Sequence, residues 1–426
     1  MKVGLFTVSS TLAGQLEIGK GVALQLSNLL GEIRGDLKVL DLITSAKAAE
    51  NVTKSLRNEI SGAIIAVATG GTEGSIMAIT TNLGKPVLIL SNPFNNSLAS
   101  SQEAYAVLRE QGSGVKLFYS SLDSSVIPEV KSFVQVCKAI HKLEDCKLGQ
   151  VGEPSPWILT SKDGDLIKKR VGPELIRFEV GELLDLIKKV NPDEAKGLAE
   201  ELKGKFGEVI EPSERDLVNA ARVYLAMREL ISKHSLSAIT VRCFDLIKHD
   251  LTGCFGMSLC NDLGLLAGCE ADLDAMLTMM IVSFLTGEPC WMANVARIDE
   301  GANKVTLAHC TIATKMLANL KRSALRSHFE SGKCVGIQGP LRDVKVTIAR
   351  LGGGGLEEMM IATGKIVRSD MRDPSLCRTQ VEVKLDGEVK DFIAKTLGNH
   401  HVLAYGDLKP MLLDFCRFKE IEPRVI

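Results

Sequence analysis

Two acidic side chains separated by one residue, Glu270 and Asp272 in Cys269-Glu270-Ala271-Asp272, stand at a strand-to-helix junction. If the strand runs through them, residues two apart face the same side. Two converging carboxylates suit a hard divalent cation, which prefers oxygen ligands. The alternative makes Asp272 the N-cap of the following helix and leaves Glu270 solvated. Asp245, in Arg242-Cys243-Phe244-Asp245, follows another predicted strand whose end can lie beside Glu270, or it serves as a cap or turn residue. Asn399-His400-His401 precedes the strand VLAYGD, and histidine is rare, seven in 426 residues, so an adjacent pair stands out. Imidazole binds Mn²⁺-like metals and moves protons near neutral pH; an exposed polar turn is the other reading. His309 closes a further strand, either at a binding site or as a hydrogen-bonded structural residue. Gly70–Ser75, with Thr72 and Glu73 as candidate substrate contacts, can cradle an anion at a helix N-terminus. It has no trailing Lys-Ser/Thr and is not GxGxxG, so nothing there selects a nucleotide.

These residues need elements to carry them. From 1 to about 148, short β-branched runs (KVGLFTV, LKVLDL, GAIIAVAT, PVLILS, VKLFY) alternate with stretches of helical period. That pattern predicts a doubly wound parallel α/β domain, with ligands beyond the carboxyl ends of its strands. Gly149–Pro156 reads as a Gly/Pro-rich linker. A second α/β domain is expected over 149–287, with strands at WILT, LIRFEV and SAITVRCF, and it carries the acidic residues. Its helix over 273–285 has an apolar face of Leu273, Met276, Leu277, Met280, Ile281, Phe284 and Leu285. Over 288–426 the runs KVTLAHCTI, KCVGIQG, VKVTIARL, MMIATGKIV and TQVEVKLDG predict an antiparallel barrel or sandwich, completed by helices at 388–397 and 408–418. The fold class is thus two doubly wound α/β domains followed by a β-barrel-like C-terminal domain.

Composition narrows the function. Lys+Arg number 51 against 52 Asp+Glu, without a basic tract, which argues against nucleic acid as a partner. The longest apolar stretches, such as 276–285, fall far short of the roughly 20 residues that span a bilayer. Eleven scattered cysteines without a CxxC pair read as reduced core thiols, and MKVGLFTVSS reads as a first strand; together these predict a cytoplasmic protein.

Several stretches taken together resemble the L-fucose/L-arabinose isomerase family, in particular its shorter members. They are GGTEGS, VGEPSPWIL, CEADLDAMLTMMIVSFLTGEPCWMANV, GKCVGIQGPLRDVKVTIARL and GNHHVLAYGDLKPMLLDFC, in that order along the chain. The resemblance implies three domains and Mn²⁺-assisted interconversion of an aldose and a ketose through a cis-enediol. It implies Asp272 and His400 as metal ligands, Glu270 as the acidic partner and Asn399 as the neighbouring amide. It further implies a homo-trimer or homo-hexamer with the site at a subunit interface. Two departures stand out. The family's upstream glutamate falls within Cys254–Leu259, which contains no acid, leaving Asp245, Asp262 or Glu270 as substitutes; and Asn294 stands where the family favours aspartate.

The leading expectation is therefore a metal-dependent aldose–ketose isomerase acting on a small sugar. The alternatives are an epimerase- or lyase-type sugar enzyme on the same scaffold, or a non-catalytic sugar-binding protein. For the first, Asp272→Asn and His400→Ala are each expected to abolish activity and leave the fold intact.

Overall fold

The computed structural model describes residues 1–426, which form two compact units, 1–142 with 413–421, and 143–412 with 422–426.

In the first unit, β1 (Lys2–Val8), β2 (Leu37–Val39), β3 (Ile60–Val67), β4 (Val87–Ser91) and β5 (Val115–Tyr119) build a sheet in the order β2-β1-β3-β4-β5. Every neighbouring pair is parallel. Alternation along β3 explains why GAIIAVAT is almost wholly apolar. Ile64 and Ala66 pack with Val3, Leu5, Leu88 and Phe133 on one face, while Ile65 and Val67 pack with Phe6, Val8, Ile76 and Ile79 on the other. The returning segment 413–421 brings Phe418 edge-on to Phe133 at 5.5 Å and Asp414 to Lys116 at 2.7 Å.

The second unit contains β6 (Lys147–Val151), β7 (Glu174–Phe178), β8 (Glu208–Val209), β9 (Ala238–Val241) and β10 (Leu266–Cys269). Four of them form a parallel sheet in the order β10-β9-β6-β7. This corrects the linker reading of Gly149–Pro156, because Gly149 lies inside a central strand. A β-carbon there would come within 2.6 Å of Leu236 Cδ1, so close packing demands the glycine that made the segment look like a linker. WILT is not a strand either; it lies in an irregular stretch between β6 and the helix Gly164–Arg170.

Then follow β11 (Trp291–Asp299), β12 (Lys304–His309), β13 (Ala324–Arg326), β14 (Gly336–Gln338), β15 (Lys345–Gly352), β16 (Glu358–Ser369), β17 (Thr379–Leu385), β18 (His400–Tyr405) and β19 (Glu422–Val425). Antiparallel pairing in the order β15-β18-β11-β12-β17-β16 closes on itself through β15–β16, giving a six-stranded barrel with β19 added parallel to β16. KCVGIQG lies outside the barrel, in a small sheet ordered β14-β13-β8. The helix Leu273–Thr286 starts at the Asp272 N-cap and stops at Gly287, whose φ of 72° closes it. It is buried on nearly every side, not on one face alone, because it packs against both the parallel sheet and the barrel strands β15 and β18. All eleven cysteines are free thiols and ten are buried. No helix is long and apolar enough to cross a membrane.

Candidate active site

The end of β10 and the start of β18 meet around one carboxylate. β10 stops at Cys269, and Glu270 and Ala271 then turn with φ of 61° and 53°. The left-handed region costs a non-glycine residue roughly 1–2 kcal/mol, so this turn persists because its surroundings fix it. Ser155 N–H donates to the Glu270 carbonyl at 3.1 Å, and Asp272 Oδ1 accepts from Ala275 N–H at 3.0 Å. The strand geometry expected to align Glu270 and Asp272 is therefore replaced by a turn, and Asp272 does cap the helix.

Capping is only part of its work. Asp272 is fully buried, and its Oδ2 lies 3.0 Å from His400 Nδ1 and 3.1 Å from Arg350 Nη1. Arg350 Nη2 stands 3.4 Å from Oδ1. Burial alone would raise the Asp272 carboxyl, but the His400 hydrogen bond and the Arg350 and His400 charges prevail and hold it well below the usual carboxylate range. It stays ionised and orients the imidazole, leaving His400 Nε2 buried without a partner. A carboxylate on Nδ1 with Nε2 free is the arrangement of a proton-transferring histidine.

Glu270 borders the same cluster and is 9% exposed. Its Oε2 accepts from Trp157 Nε1 at 2.7 Å, and the indole stands edge-on to Phe244 at 5.0 Å. Burial raises its carboxyl, against the pull of the His400 charge and the Trp157 hydrogen bond. Asp274, also buried, is pushed to about 6 by burial in spite of Lys162, whose Nζ is 3.4 Å from its Oδ2. His309 stacks edge-on to His400, with ring centroids 5.4 Å apart, and shares a 2.9 Å hydrogen bond with Thr311. Burial and then the His400 charge hold His309 at about 3, so it is neutral.

The remaining sequence candidates make other contacts. Asp245 pairs with Arg242 at 3.1 Å and Lys248 at 2.9 Å on its own short helix. Asp262 is occupied by Thr314 Oγ1 at 2.6 Å and Lys315 N–H at 2.9 Å. Asn399 is exposed, and its backbone carbonyl, not its amide, meets His401 Nδ1 at 3.1 Å. Strand alternation sends His401 to the opposite side from His400, against Phe392 at 5.1 Å. Asn294 is paired opposite His400 across β11 and β18, with a buried, unpartnered Oδ1. Thr72 and Glu73 belong to the first unit. Thr72 is buried and bonded to Thr69 and Ser100, while Glu73 lines an open cleft with Gly70, Gly71 and Asn95. Sequence reasoning passed over Arg350, Asp274, Trp157 and Lys162. A cation inside the apolar run VTIARL was the one available signal, since arginine is almost never fully buried unless paired.

The donors do not fit a divalent cation as arranged. No three His, Cys, Asp or Glu side chains are grouped so as to hold one. Both Asp272 oxygens are engaged by Arg350, His400 and the helix N-terminus.

Parallel α/β sheets joined to a closed antiparallel barrel thus carry a buried His–Asp pair with a neighbouring raised carboxyl. Comparison with known proteins adds distant relatives. The chain is 23% identical over 343 residues to the sulfoquinovose isomerases of Priestia aryabhattai and of Priestia megaterium, covering 78% of this chain and 76% of each of them. With the sulfoquinovose isomerase of Clostridium sp. (strain MSTE9) it shares 22% over 357 residues, with the same coverage. No family model matches the chain. Among solved structures, D-lactate dehydrogenase from Escherichia coli superposes with a TM-score of 0.18 at 12% identity, over 68% of this chain and 98% of that one, which is too little to bear on the fold.

Proposed function

We propose that this protein is an aldose–ketose isomerase that moves a proton between C2 and C1 of a small sugar through a cis-enediol. The observation that carries the reading is the buried contact of His400 Nδ1 with Asp272 Oδ2, which leaves Nε2 unpartnered, with the raised Glu270 carboxyl near enough to feel the His400 charge. The distant relatives named for isomerisation of sulfoquinovose support the reaction class and make that 6-sulfonated aldose the first substrate to try.

Roles follow from the geometry. Glu270, the least buried acid of the group, takes the proton from C2 as its carboxylate and returns it to C1. A raised carboxyl is the better acceptor, because its basicity approaches the operating pH. His400 Nε2 exchanges the hydroxyl protons, giving one to O1 as the carbonyl becomes an enol and taking one from O2 as the ketone forms. The net proton count is unchanged. Asp272 holds a proton on Nδ1 throughout, so the proton that His400 gives to O1 and recovers from O2 is a second one, carried on Nε2. No step is routed through a divalent ion, since the donors for one are not assembled.

The test is incubation of the purified chain in D₂O with sulfoquinovose and a panel of free aldoses, followed by proton NMR. Ketose is expected from at least one sugar, with deuterium at C1 to the extent that the proton on Glu270 exchanges with solvent before its return. Absence of ketose from every sugar would remove the isomerase reading.

A further inference from the structure

Arg350 sits in the middle of β15 and is 1% exposed. A guanidinium keeps its charge at any physiological pH, so it tolerates such a position only with most of its N–H groups paired. The surrounding segments are shaped to do this. Nη1 donates to Asp272 Oδ2 at 3.1 Å and to the His400 carbonyl, and Nη2 donates to Thr160 Oγ1 at 3.1 Å and approaches Asp272 Oδ1 at 3.4 Å. Gly398, two residues before His400, lies directly against the group: a β-carbon at that position would overlap the guanidinium, and the backbone there has φ 153°. A helix N-cap, a strand start, the irregular 153–162 segment and a glycine thus converge on one side chain.

The consequence concerns Asp272. An ionised carboxylate offers about four lone-pair sites. Here Oδ1 faces Ala275 N–H and Arg350 Nη2, and Oδ2 faces Arg350 Nη1 and His400 Nδ1. No lone pair is left for a divalent ion, and any ion reaching His400 Nε2 would meet an adjacent fixed positive charge.

We propose that Arg350 is the resident counter-cation of the Asp272–His400 pair, standing where that carboxylate would otherwise ligate a divalent metal, so that the pair is held in register without bound metal. Arg350 is a positioning residue: its Nε is buried against Gly398 without a hydrogen-bond partner, and Nη1 and Nη2 are committed, so it acts through Asp272 and His400. Its effect on turnover rests on the isomerase reading given above, whereas the occupancy of Asp272 does not.

The decisive measurement is made on the wild-type chain without any sugar. Purified protein is analysed for Mn, Co, Zn, Mg and Fe by mass spectrometry, and its melting temperature is recorded after EDTA treatment and after Mn²⁺ addition. Less than a tenth of an equivalent of metal and no shift with either reagent are expected. One equivalent of a divalent ion per chain, or a melting temperature that falls with EDTA and recovers with Mn²⁺, would overturn the proposal. In the turnover assay, Arg350→Met is expected to lower kcat at least a hundredfold with KM changed less than threefold. Arg350→Lys should recover at least tenfold of that loss, and Gly398→Ala should resemble Arg350→Met. Equal kcat in Arg350→Met and wild type would deny Arg350 the positioning role. If no sugar is turned over, the isomerase reading falls, while metal content and melting still decide the counter-cation.

Discussion

Replacing Asp272 by asparagine separates the charge of this side chain from its shape. The asparagine keeps an oxygen able to cap the helix through Ala275 N–H, so the change removes chiefly one negative charge facing Arg350 at 3.1 Å. Asp272 is 0% and Arg350 1% exposed. Breaking a buried pair by removing one partner costs roughly 3–5 kcal/mol, because the other charge remains in the interior without compensation. At roughly 2–4 °C per kcal/mol for a unit of this order of size, the melting temperature should fall by about 6–20 °C. The structure therefore revises the expectation that Asp272→Asn leaves the fold untouched.

Arg350→Met should cost a similar amount, since it strands the carboxylate. The double variant removes both charges, and replacing a whole buried pair by neutral groups is often close to neutral. A double-mutant cycle should accordingly return a coupling of at least about 3 kcal/mol, at or beyond the upper end of values for residues in contact. Urea unfolding followed by circular dichroism, with all four chains in the same buffer, measures it. A coupling below about 0.5 kcal/mol, or single-variant costs that simply add, would refute the view that this ion pair organises the site.

Other outcomes follow from the same geometry. His400→Ala should lower kcat by roughly 10²–10⁴, the usual worth of a general acid–base group, and unchanged turnover would take His400 out of the chemistry. Trp157→Phe keeps an aromatic ring facing Phe244 but withdraws the N–H that lowers the Glu270 carboxyl. Because the acceptor must be ionised, the acidic limb of the kcat/KM profile should move to higher pH; an unmoved limb would disconnect Glu270 from proton transfer. His309 and His401 are held at about 3, chiefly by burial, whereas an unfolded chain titrates them near 6.5. Their folded pKa values are depressed, so the unfolded state binds the extra protons and stability should decline as pH falls below about 6.5; a melting temperature constant from pH 7 to pH 4 would contradict their burial as neutral rings. Light scattering should report the trimer or hexamer implied by the family resemblance, and a monomer at micromolar concentration would remove that expectation.

Much of the architecture could be read from local pattern, for reasons visible at particular residues. The first sheet announces itself because runs such as GAIIAVAT are buried on both faces and need no polar alternation. Asp272 was legible twice, as the acid before an apolar helical run and through the family resemblance. His400 was legible as half of a rare histidine pair. β6 was hidden, because the close approach of Leu236 requires Gly149 and glycine reads as a break.

What could not be read is mainly what distant segments do to each other. Nothing in the type of Glu270 or Ala271 signals a left-handed turn, which is ordinarily the province of Gly or Asn. That turn exists because the Asp272 cap on one side and the Ser155 N–H on the other leave the chain no other path. Arg350 lies 78 residues from Asp272, and no periodicity links them. Once both are buried, however, each makes the other necessary: an unpaired guanidinium or an unpaired carboxylate at that depth would cost several kcal/mol. The same reciprocity draws Thr160 and Gly398 into the cluster, so the residues least legible in sequence are those whose identities are set by Arg350, not by their own neighbours along the chain.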